Sequence, residues 1–376
     1  MRRGWAPGRR CGTAAQSSAD KRYREVVKLG GGRRCEDALH RTAERWVGRN
    51  ESPVPARRRQ VRSLSRALLA TCALLLAGCG AGGAGPTPAT APSTTAPSPS
   101  PPSSPSPAPD LSPTASRPCG LGGQAPARLQ HVVFIVMENR AYSEVIGSPD
   151  APYINHLAAL CGLATNYKAV AHPSLPNYLA LTSGSTQGVT DDGGPDQHPL
   201  SAPSIFSLLG TDWRSLEESM PTNCDLQSGG EYAVKHNPAA YFTSVRQACR
   251  GQDVPLTSPP DLSAAFTFIT PNLCDDMHDC ATTAGDSWLA REVPRLLSTP
   301  QYLAGQTVIF ITWDESTGST QQVPLLVIAP TVPSGARVAA AFNHYSLLHT
   351  TEQLLGLSPL LGAASSAPSM VTAFNL

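Results

Sequence analysis

The sequence predicts an α/β fold, a three-layer sandwich with a mainly parallel central sheet, and three observations predict it. Residues 131–136 (HVVFIV) and 307–312 (TVIFIT) are continuous apolar and β-branched runs, the pattern of strands covered on both faces. Strand-like and helix-like segments alternate from the first run to the C-terminus. Each run also stops close to an acidic pair or its amide equivalent, Glu138-Asn139 and Asp314-Glu315. Ligands of parallel sheets bind beyond the carboxyl ends of the strands.

The elements follow in order. After the first strand, 153–160 reads as a helix. The segment 172–177 (HPSLPN) comes next, and Pro176 suits the first turn of a helix, with Ser174 or Leu175 just before it and 178–182 after it. Residues 203–209 form another helix. A third strand, 264–270, ends at Pro271-Asn272. A helix opens at Gly285-Asp286-Ser287-Trp288 and runs to Leu297; 323–329 is a further strand and 345–355 a late helix. No internal repeat is visible.

The net charge of +1 hides a division. Residues 1–118 carry 19 Lys/Arg against 7 Asp/Glu, or +12, and residues 119–376 carry 10 against 21, or −11. The second part also holds eight of the nine histidines. It is long enough for one domain with a large core, and its acidity argues against a nucleic-acid partner.

The first part reads as export machinery. Arg57, Arg58, Arg59, Arg62 and Arg66 precede the short apolar stretch 67–77, which ends at Gly78-Cys79. A basic stretch, a short apolar stretch and small residues make a signal peptide, 54–78, too short to span a bilayer comfortably. The ending 76–79 (LAGC) resembles a bacterial lipobox, which implies cleavage before Cys79 and lipidation of its thiol; the alternative is a soluble secreted protein cleaved nearby. The site would then sit on the extracellular face of the membrane, or be secreted. Residues 1–53 are Arg-rich without clear apolar periodicity, and we expect them to be a spurious extension, with translation starting near Val54 or Val61. Residues 79–118 are almost entirely Ala, Gly, Pro, Ser and Thr after the cysteine, a tether rather than a core. The catalytic domain is 119–376.

Six cysteines follow Cys79: Cys119, Cys161, Cys224, Cys249, Cys274 and Cys280. An even number in an exported domain suggests three disulfides, with 15 possible pairings. Proximity along the chain favours Cys274–Cys280 and Cys224–Cys249, leaving Cys119–Cys161. Their spacings fit no tetrahedral zinc pattern.

Chemistry can be assigned by position. A serine at a helix start has its hydroxyl near free backbone N–H groups and the positive end of the helix dipole, which suits phosphate and alkoxide alike. Ser174 needs a base or a metal to become a nucleophile; its plain alternative is a helix cap. Glu138, Asn139, Asp314 and Glu315 offer hard oxygens suited to one Mg²⁺, Ca²⁺ or Mn²⁺ ion; solvated loops are their alternative. His278 stands in 272–279 (NLCDDMHD), a loop pinned if Cys274 pairs with Cys280. His344 precedes the last helix. Lys235 and His236 would supply positive charge for an oxyanion or form a solvated pair. His172 would orient the nucleophile turn, and His131, His156, His198 and His349 read as structural.

From about Leu129 onward the chain resembles the bacterial phosphoesterase family, which includes acid phosphatases and phospholipases C. The motifs that carry the resemblance are Glu138-Asn139, 172–178 (HPSLPNY), 276–279 (DMHD), 285–289 (GDSWL), 312–315 (TWDE) and His344-Tyr345. The resemblance implies an alkaline phosphatase-like fold. It implies one divalent metal held by Glu138, Asn139, Asp314 and Glu315, and Ser174 as nucleophile. Asn139, His278 and His344 would contact the phosphoryl oxygens or protonate the leaving group, with Lys235 and His236 also at the substrate. Ala141-Tyr142 stands where many relatives have Ser-Phe-Asp, a phospholipase C-like feature. The loop after Glu315 is short and not acidic, which argues against a second metal.

The expectation is a metal-dependent phosphomonoesterase of the acid phosphatase type that forms a phosphoserine. Its substrate would be a small-molecule or lipid phosphate ester, with phosphatidylinositol 3-phosphate among the candidates. If a charged histidine is the acid, activity favours pH below about 7, since histidine ordinarily titrates near 6.5. The alternatives are a phospholipase C-type phosphodiesterase and a non-catalytic metal- or ligand-binding lipoprotein. Oligomeric state is not legible.

Overall fold

The computed structural model describes residues 113–121 and 129–376. The extension 1–53, the signal segment 54–78, Cys79 and the tether as far as 112 lie outside the described residues. The tether's last residues, 113–118, are described, and they already join the domain. A bridge closes Thr114 on Arg117, and Pro118 accepts a hydrogen bond from the Tyr302 hydroxyl at 2.7 Å.

The strands are β1 (His131–Met137), β2 (Gly162–Ala164), β3 (Tyr167–Lys168), β4 (Trp213–Glu217), β5 (Asp253–Pro255), β6 (Phe266–Thr270), β7 (Thr307–Trp313), β8 (Leu325–Ile328), β9 (Arg337–Val338) and β10 (Phe342–Asn343). The α-helices are α1 (Tyr142–Val145), α2 (Pro152–Leu160), α3 (Ser174–Ser183), α4 (Ile205–Leu209), α5 (Arg246–Gln252), α6 (Thr282–Leu297), α7 (Pro300–Leu303), α8 (His344–Leu355) and α9 (Val371–Phe374).

Eight strands make one sheet in the order β5-β4-β6-β1-β7-β8-β2-β9. The five from β5 to β7 run parallel; β8 is antiparallel to both its neighbours, β7 and β2. The mainly parallel α/β sandwich is therefore what the apolar runs led us to expect. β1 lies between β6 and β7, with Phe134 level with Phe268 on one side and Phe310 on the other. Side chains alternate between the two faces of a strand, yet every residue from Val132 to Met137 and from Thr307 to Trp313 is buried. Both faces are covered, and the helix pairs α3/α8 and α2/α6 contribute to the cover.

Local chemistry sets the element ends that matter. α3 begins at Ser174, with Pro173 as its cap residue, and stops at Gly184 in the left-handed region (φ 69°). Ser174 is thus the first helical residue rather than a cap. α8 is capped by the Asn343 side chain, which accepts the Ser346 N–H at 3.1 Å. α2 has no capping side chain of its own, and the Asp286 carboxylate of α6 accepts its Tyr153 and Ile154 N–H groups instead.

The three disulfides are Cys119–Cys161, Cys224–Cys249 and Cys274–Cys280, the pairing that proximity favoured. The last closes the loop after β6. A two-stranded parallel pair, β3 with β10, brings Tyr167 beside the start of α8.

Candidate active site

The carboxyl ends of β1, β6 and β7 converge on one group of side chains. Glu138 follows β1 and Asp314 follows β7; both are fully buried. Two hydrogen bonds lock their turns together, a backbone bond from the Asp314 N–H to the Met137 carbonyl at 2.9 Å and one from the Asn139 N–H to the side-chain Oδ1 of Asp314 at 3.2 Å. Asn139 reaches that carboxylate through a left-handed backbone (φ 51°), a conformation asparagine tolerates better than most residues. Arg140 ties the same turn to the disulfide loop, donating to the carbonyls of Asn139 and Cys280 at 2.7 Å each.

Ser174 is buried at the first position of α3, and its hydroxyl donates to Glu138 Oε2 at 3.1 Å. The rest of the 172–178 motif holds it there. Asn177 accepts the N–H groups of Val170 and Ala171 and donates to the carbonyls of Ala171 and Pro173, which fixes the approach to the helix. Tyr178 donates its hydroxyl to Glu138 Oε1 at 2.7 Å and stacks on His236, ring centres 5.2 Å apart.

His236 closes a short 3₁₀ turn, Val234–His236, and is buried. Its Nε2 lies 3.2 Å from Glu138 Oε1 and its Nδ1 3.2 Å from Asp276 Oδ2. Asp276, in the disulfide loop, is fully buried and joins the group through its carbonyl, which accepts the Glu138 N–H at 2.8 Å. His278, two residues on, donates from Nδ1 to Asp279 Oδ1 at 2.7 Å and faces the Lys235 ammonium with Nε2 at 3.3 Å. Because Lys235 can only donate, Nε2 is the accepting nitrogen in this arrangement.

The electrostatics are lopsided. Burial, reinforced by the Asp314 and Asp276 charges, pushes the Glu138 carboxyl well above its ordinary range. Burial raises Asp276 to about 8 and lifts Asp314 as well. Burial also drives His236 well below the usual imidazole range, with the neighbouring Lys235 and His278 adding to the effect. A neutral imidazole between two carboxylates can donate to one of them only.

Asp314 Oδ2, Asp276 Oδ2 and His236 Nε2 make no hydrogen bond of proper geometry among the described residues, the 3.2 Å approaches of His236 to Glu138 and Asp276 being misaligned. Buried polar atoms without partners are costly. A divalent cation would satisfy them, and hard carboxylate oxygens with imidazole nitrogen are donors such an ion takes. Glu138, His236 and His278 bring ligand atoms within 4.8 Å of one another. The residues present fit a metal. Cys224, Cys249 and Asp253 also cluster, but both cysteines are disulfide-bonded.

Two of the expected residues are placed differently from the rest. Glu315 turns its carboxylate to the exposed His172, Oε2 to Nδ1 2.5 Å, and burial with the neighbouring Asp314 charge raises it to about 7. His344 is fully buried behind Asp314. Its Nε2 lies 2.6 Å from the Asp314 carbonyl oxygen and its Nδ1 2.8 Å from the Tyr167 hydroxyl. A carbonyl only accepts, so Nε2 carries the proton and Tyr167 donates to Nδ1. Burial depresses His344 to about 4. Both ring nitrogens of His344, expected at the phosphoryl group, are thus engaged within the protein. The ring holds the Asp314 backbone.

Sequence reasoning left Asp276, Tyr167, Tyr178 and Asp192 out of the site. Asp276 had a signal, since it lies between the disulfide cysteines and two residues before His278. Asp192 had none: its loop reaches α3, where Oδ1 accepts the Leu175 N–H at 3.0 Å, and Oδ2 meets Lys235 Nζ at 3.0 Å. His131 and His349 bond backbone carbonyls.

The chain is similar to several known proteins. The sequence profile of the phosphoesterase family matches residues 148–358. The phosphatidylinositol-3-phosphatase of Mycobacterium tuberculosis is 34% identical over 259 residues, covering 66% of this chain and 84% of that protein. The phosphate-repressible acid phosphatase of Penicillium chrysogenum is 31% identical over 223 residues, 53% of each chain, so the match spans about half the length of that relative. A solved structure of a protein in the alkaline phosphatase superfamily from Vibrio parahaemolyticus aligns with a TM-score of 0.44 and 11% identity, over 65% of this chain and 70% of that one.

Proposed function

The chain belongs to the phosphoesterase family and is a hydrolase of phosphoric ester bonds, and we propose that it is a metal-dependent phosphomonoesterase that works through a phosphoserine on Ser174. The observation that carries this reading is the contact of the Ser174 hydroxyl with Glu138 at 3.1 Å, at the start of a buried helix and beside carboxylate oxygens that lack a hydrogen-bond donor among the described residues.

Glu138, Asn139 and Asp314 would hold the ion, with Glu315 alongside and His236, Asp276 and His278 on its other flank. When bound, such an ion lowers the pKa of a neighbouring hydroxyl and neutralises charge on a phosphoryl oxygen. The chain's own residues do the rest. Glu138 accepts the Ser174 hydroxyl and aims its oxygen. The Leu175 N–H and the Lys235 ammonium, both turned to this end of α3, bind the non-bridging oxygens as charge builds on them. Burial works against the Lys235 charge, but the hydrogen bond and charge of Asp192, with Glu138 and Asp314, more than offset it and hold the amine above its ordinary range.

On attack the Ser174 proton passes to Glu138, which already accepts it. His278, oriented by Asp279 and protonated at Nε2 once that nitrogen has parted from Lys235, gives the Nε2 proton to the leaving alcohol oxygen as its bond to phosphorus breaks. The same nitrogen then takes a proton from the water that cleaves the phosphoserine, and Glu138 returns its proton to Ser174. His344 and Tyr167 keep Asp314 in place. Phosphate esters of small alcohols and the headgroup phosphate of a lipid both suit a site that reads only a phosphoryl group, and the mycobacterial relative makes phosphatidylinositol 3-phosphate a first lipid to try. Among the described residues no helix is long and apolar enough to cross a membrane. Our reading keeps the lipid anchor at Cys79, with the tether holding the domain outside the membrane.

The test is hydrolysis of p-nitrophenyl phosphate and bis-p-nitrophenyl phosphate by the disulfide-intact protein, with and without EDTA, beside Ser174→Ala. Metal-dependent monoester cleavage, lost in Ser174→Ala, is the expected result. Faster diester cleavage would move the assignment to a phosphodiesterase, and no turnover on either would leave a binding protein.

A further inference from the structure

The phosphoryl-binding end of α3 already holds an anion of the protein's own. Leu175 follows the nucleophile directly, and its N–H is a first-turn donor with no partner inside the helix. The carboxylate of Asp192 accepts it at 3.0 Å through Oδ1 and holds the Lys235 ammonium at 3.0 Å through Oδ2. Lys235 in turn lies 3.3 Å from His278 Nε2. One side chain thus spans the helix N-terminus and the only ammonium in contact with His278 among the described residues.

A carboxylate presents two oxygens in a planar fork, as two oxygens of a phosphoryl group do. It cannot share the Leu175 N–H with a phosphoryl group seated on Ser174. The loop is built to let the side chain move while the backbone stays. Asp191 Oδ1 accepts the Gly193 N–H at 2.8 Å and His198 at 2.6 Å, and the Tyr241 hydroxyl donates to the Gly193 carbonyl at 3.0 Å. The Asp192 side chain itself remains 31% exposed. A rotamer change toward solvent frees both donors.

We propose that Asp192 is an internal anion that competes with phosphate for the Leu175 amide and the Lys235 ammonium and so sets the site's affinity for phosphoryl ligands. Monoester and diester both need these two donors, so the competition falls on both alike. The cost to every ligand is the fraction of time the donors are taken. If Asp192 occupies them for nine-tenths of the time, apparent phosphate affinity falls about tenfold. This inference rests on the phosphomonoesterase reading.

The experiment compares full-length wild type, Asp192→Ala and Asp191→Asn. It reads binding of inorganic phosphate by calorimetry, and kcat/KM on p-nitrophenyl phosphate and bis-p-nitrophenyl phosphate. Asp191→Asn removes the same charge one residue away without freeing either donor. Phosphate should bind about tenfold tighter to Asp192→Ala and within about twofold of wild type to Asp191→Asn. The monoester-over-diester ratio should stay within about twofold of wild type in Asp192→Ala, because the competition is lifted for both esters alike, and a larger change would overturn the proposal. Unchanged or weaker phosphate binding in Asp192→Ala overturns the proposal, because Asp192 then only positions Lys235. Equal tightening in Asp191→Asn also overturns it, since a general field effect would suffice. If wild type cleaves neither ester, the phosphomonoesterase reading fails, while the phosphate titration still decides what Asp192 does.

Discussion

Glu138→Gln should raise the stability of the metal-free protein and remove the stabilisation that metal gives. Glu138, Asp276 and Asp314 are all fully buried, and the nearby Lys235 ammonium is already paired with Asp192. Two like charges about 5 Å apart at an effective dielectric of about 20 repel by about 3 kcal/mol. Part of this is avoided by protonation, as the rise of Asp276 to about 8 indicates. Glutamine keeps an oxygen for the Tyr178 hydroxyl, so the substitution removes charge without orphaning that donor. We expect a gain of about 1–3 kcal/mol in EDTA at pH 8, or roughly 2–4 °C in Tm per kcal/mol for a domain of this size.

The sign with pH follows from linkage. Carboxyls raised above their unfolded values contribute stability that is complete at low pH and is lost as pH rises through the folded value. The advantage of Glu138→Gln should therefore shrink towards pH 5. Saturating metal at about 100 times its Kd would stabilise wild type by about 2.7 kcal/mol. The variant should gain less than half of that, so its lead over wild type should narrow by at least about 1.3 kcal/mol between EDTA and metal. Thermal and urea unfolding in both conditions measure this. A variant less stable than wild type in EDTA, or one that gains as much from metal, would refute the view that these carboxylates form an under-neutralised cation cage.

Three further predictions concern other buried groups. A second buried acid pair, Glu217 and Asp253, sits away from it on β4 and β5; burial and the Asp253 charge raise Glu217, and burial raises Asp253 to about 7. Stability from this pair is lost as pH climbs from about 4 through about 7, so Glu217→Gln should be about 1–2 kcal/mol more stable than wild type at pH 8 and nearly equal at pH 5 by urea titration. Tyr167→Phe strips the donor from His344 Nδ1, and loosening of Asp314 behind it should cost about tenfold in metal affinity by calorimetry; unchanged affinity would mean that His344 positions nothing. Gly184→Ala puts a Cβ 2.2 Å from the Leu361 carbonyl oxygen at a φ of 69°, and the combined clash and backbone strain should lower stability by about 2–4 kcal/mol in a thermal melt.

The strands that carry the site were legible because burial on both faces leaves a local mark. β1 and β7 are seven residues each of almost unbroken apolar and β-branched sequence. β4 left no such mark, although it lies inside the sheet between β5 and β6. Its sequence is Trp213-Arg-Ser-Leu-Glu217, and Ser215 and Glu217 are buried because they bond each other at 2.7 Å rather than because they are apolar. A polar pair that satisfies itself across two residues looks like surface to any hydropathy reading. The reversed direction of β8 was hidden for a different reason, since a short buried strand carries no composition that tells up from down.

The same distinction separates the acids that could be found from those that could not. Glu138 and Asp314 stand just past the ends of strands, and a strand end is a property of neighbouring residues in the chain. Asp192 and Tyr167 act through contacts 17 and 177 residues away, to Leu175 and His344, which no local pattern records. His344 shows what a motif does and does not convey. Its presence before α8 was legible, but its role depends on which groups its two nitrogens meet. The Asp314 carbonyl meets one and the Tyr167 hydroxyl the other, so in our proposal this imidazole serves as a strut rather than an acid. His278 keeps the opposite fate for the same geometrical reason: its inner nitrogen faces Lys235 at 3.3 Å, a group that substrate can draw away. Chemistry in this site is thus divided by accessibility of a single nitrogen on each ring, and that division is settled by the loops rather than by the residues they carry.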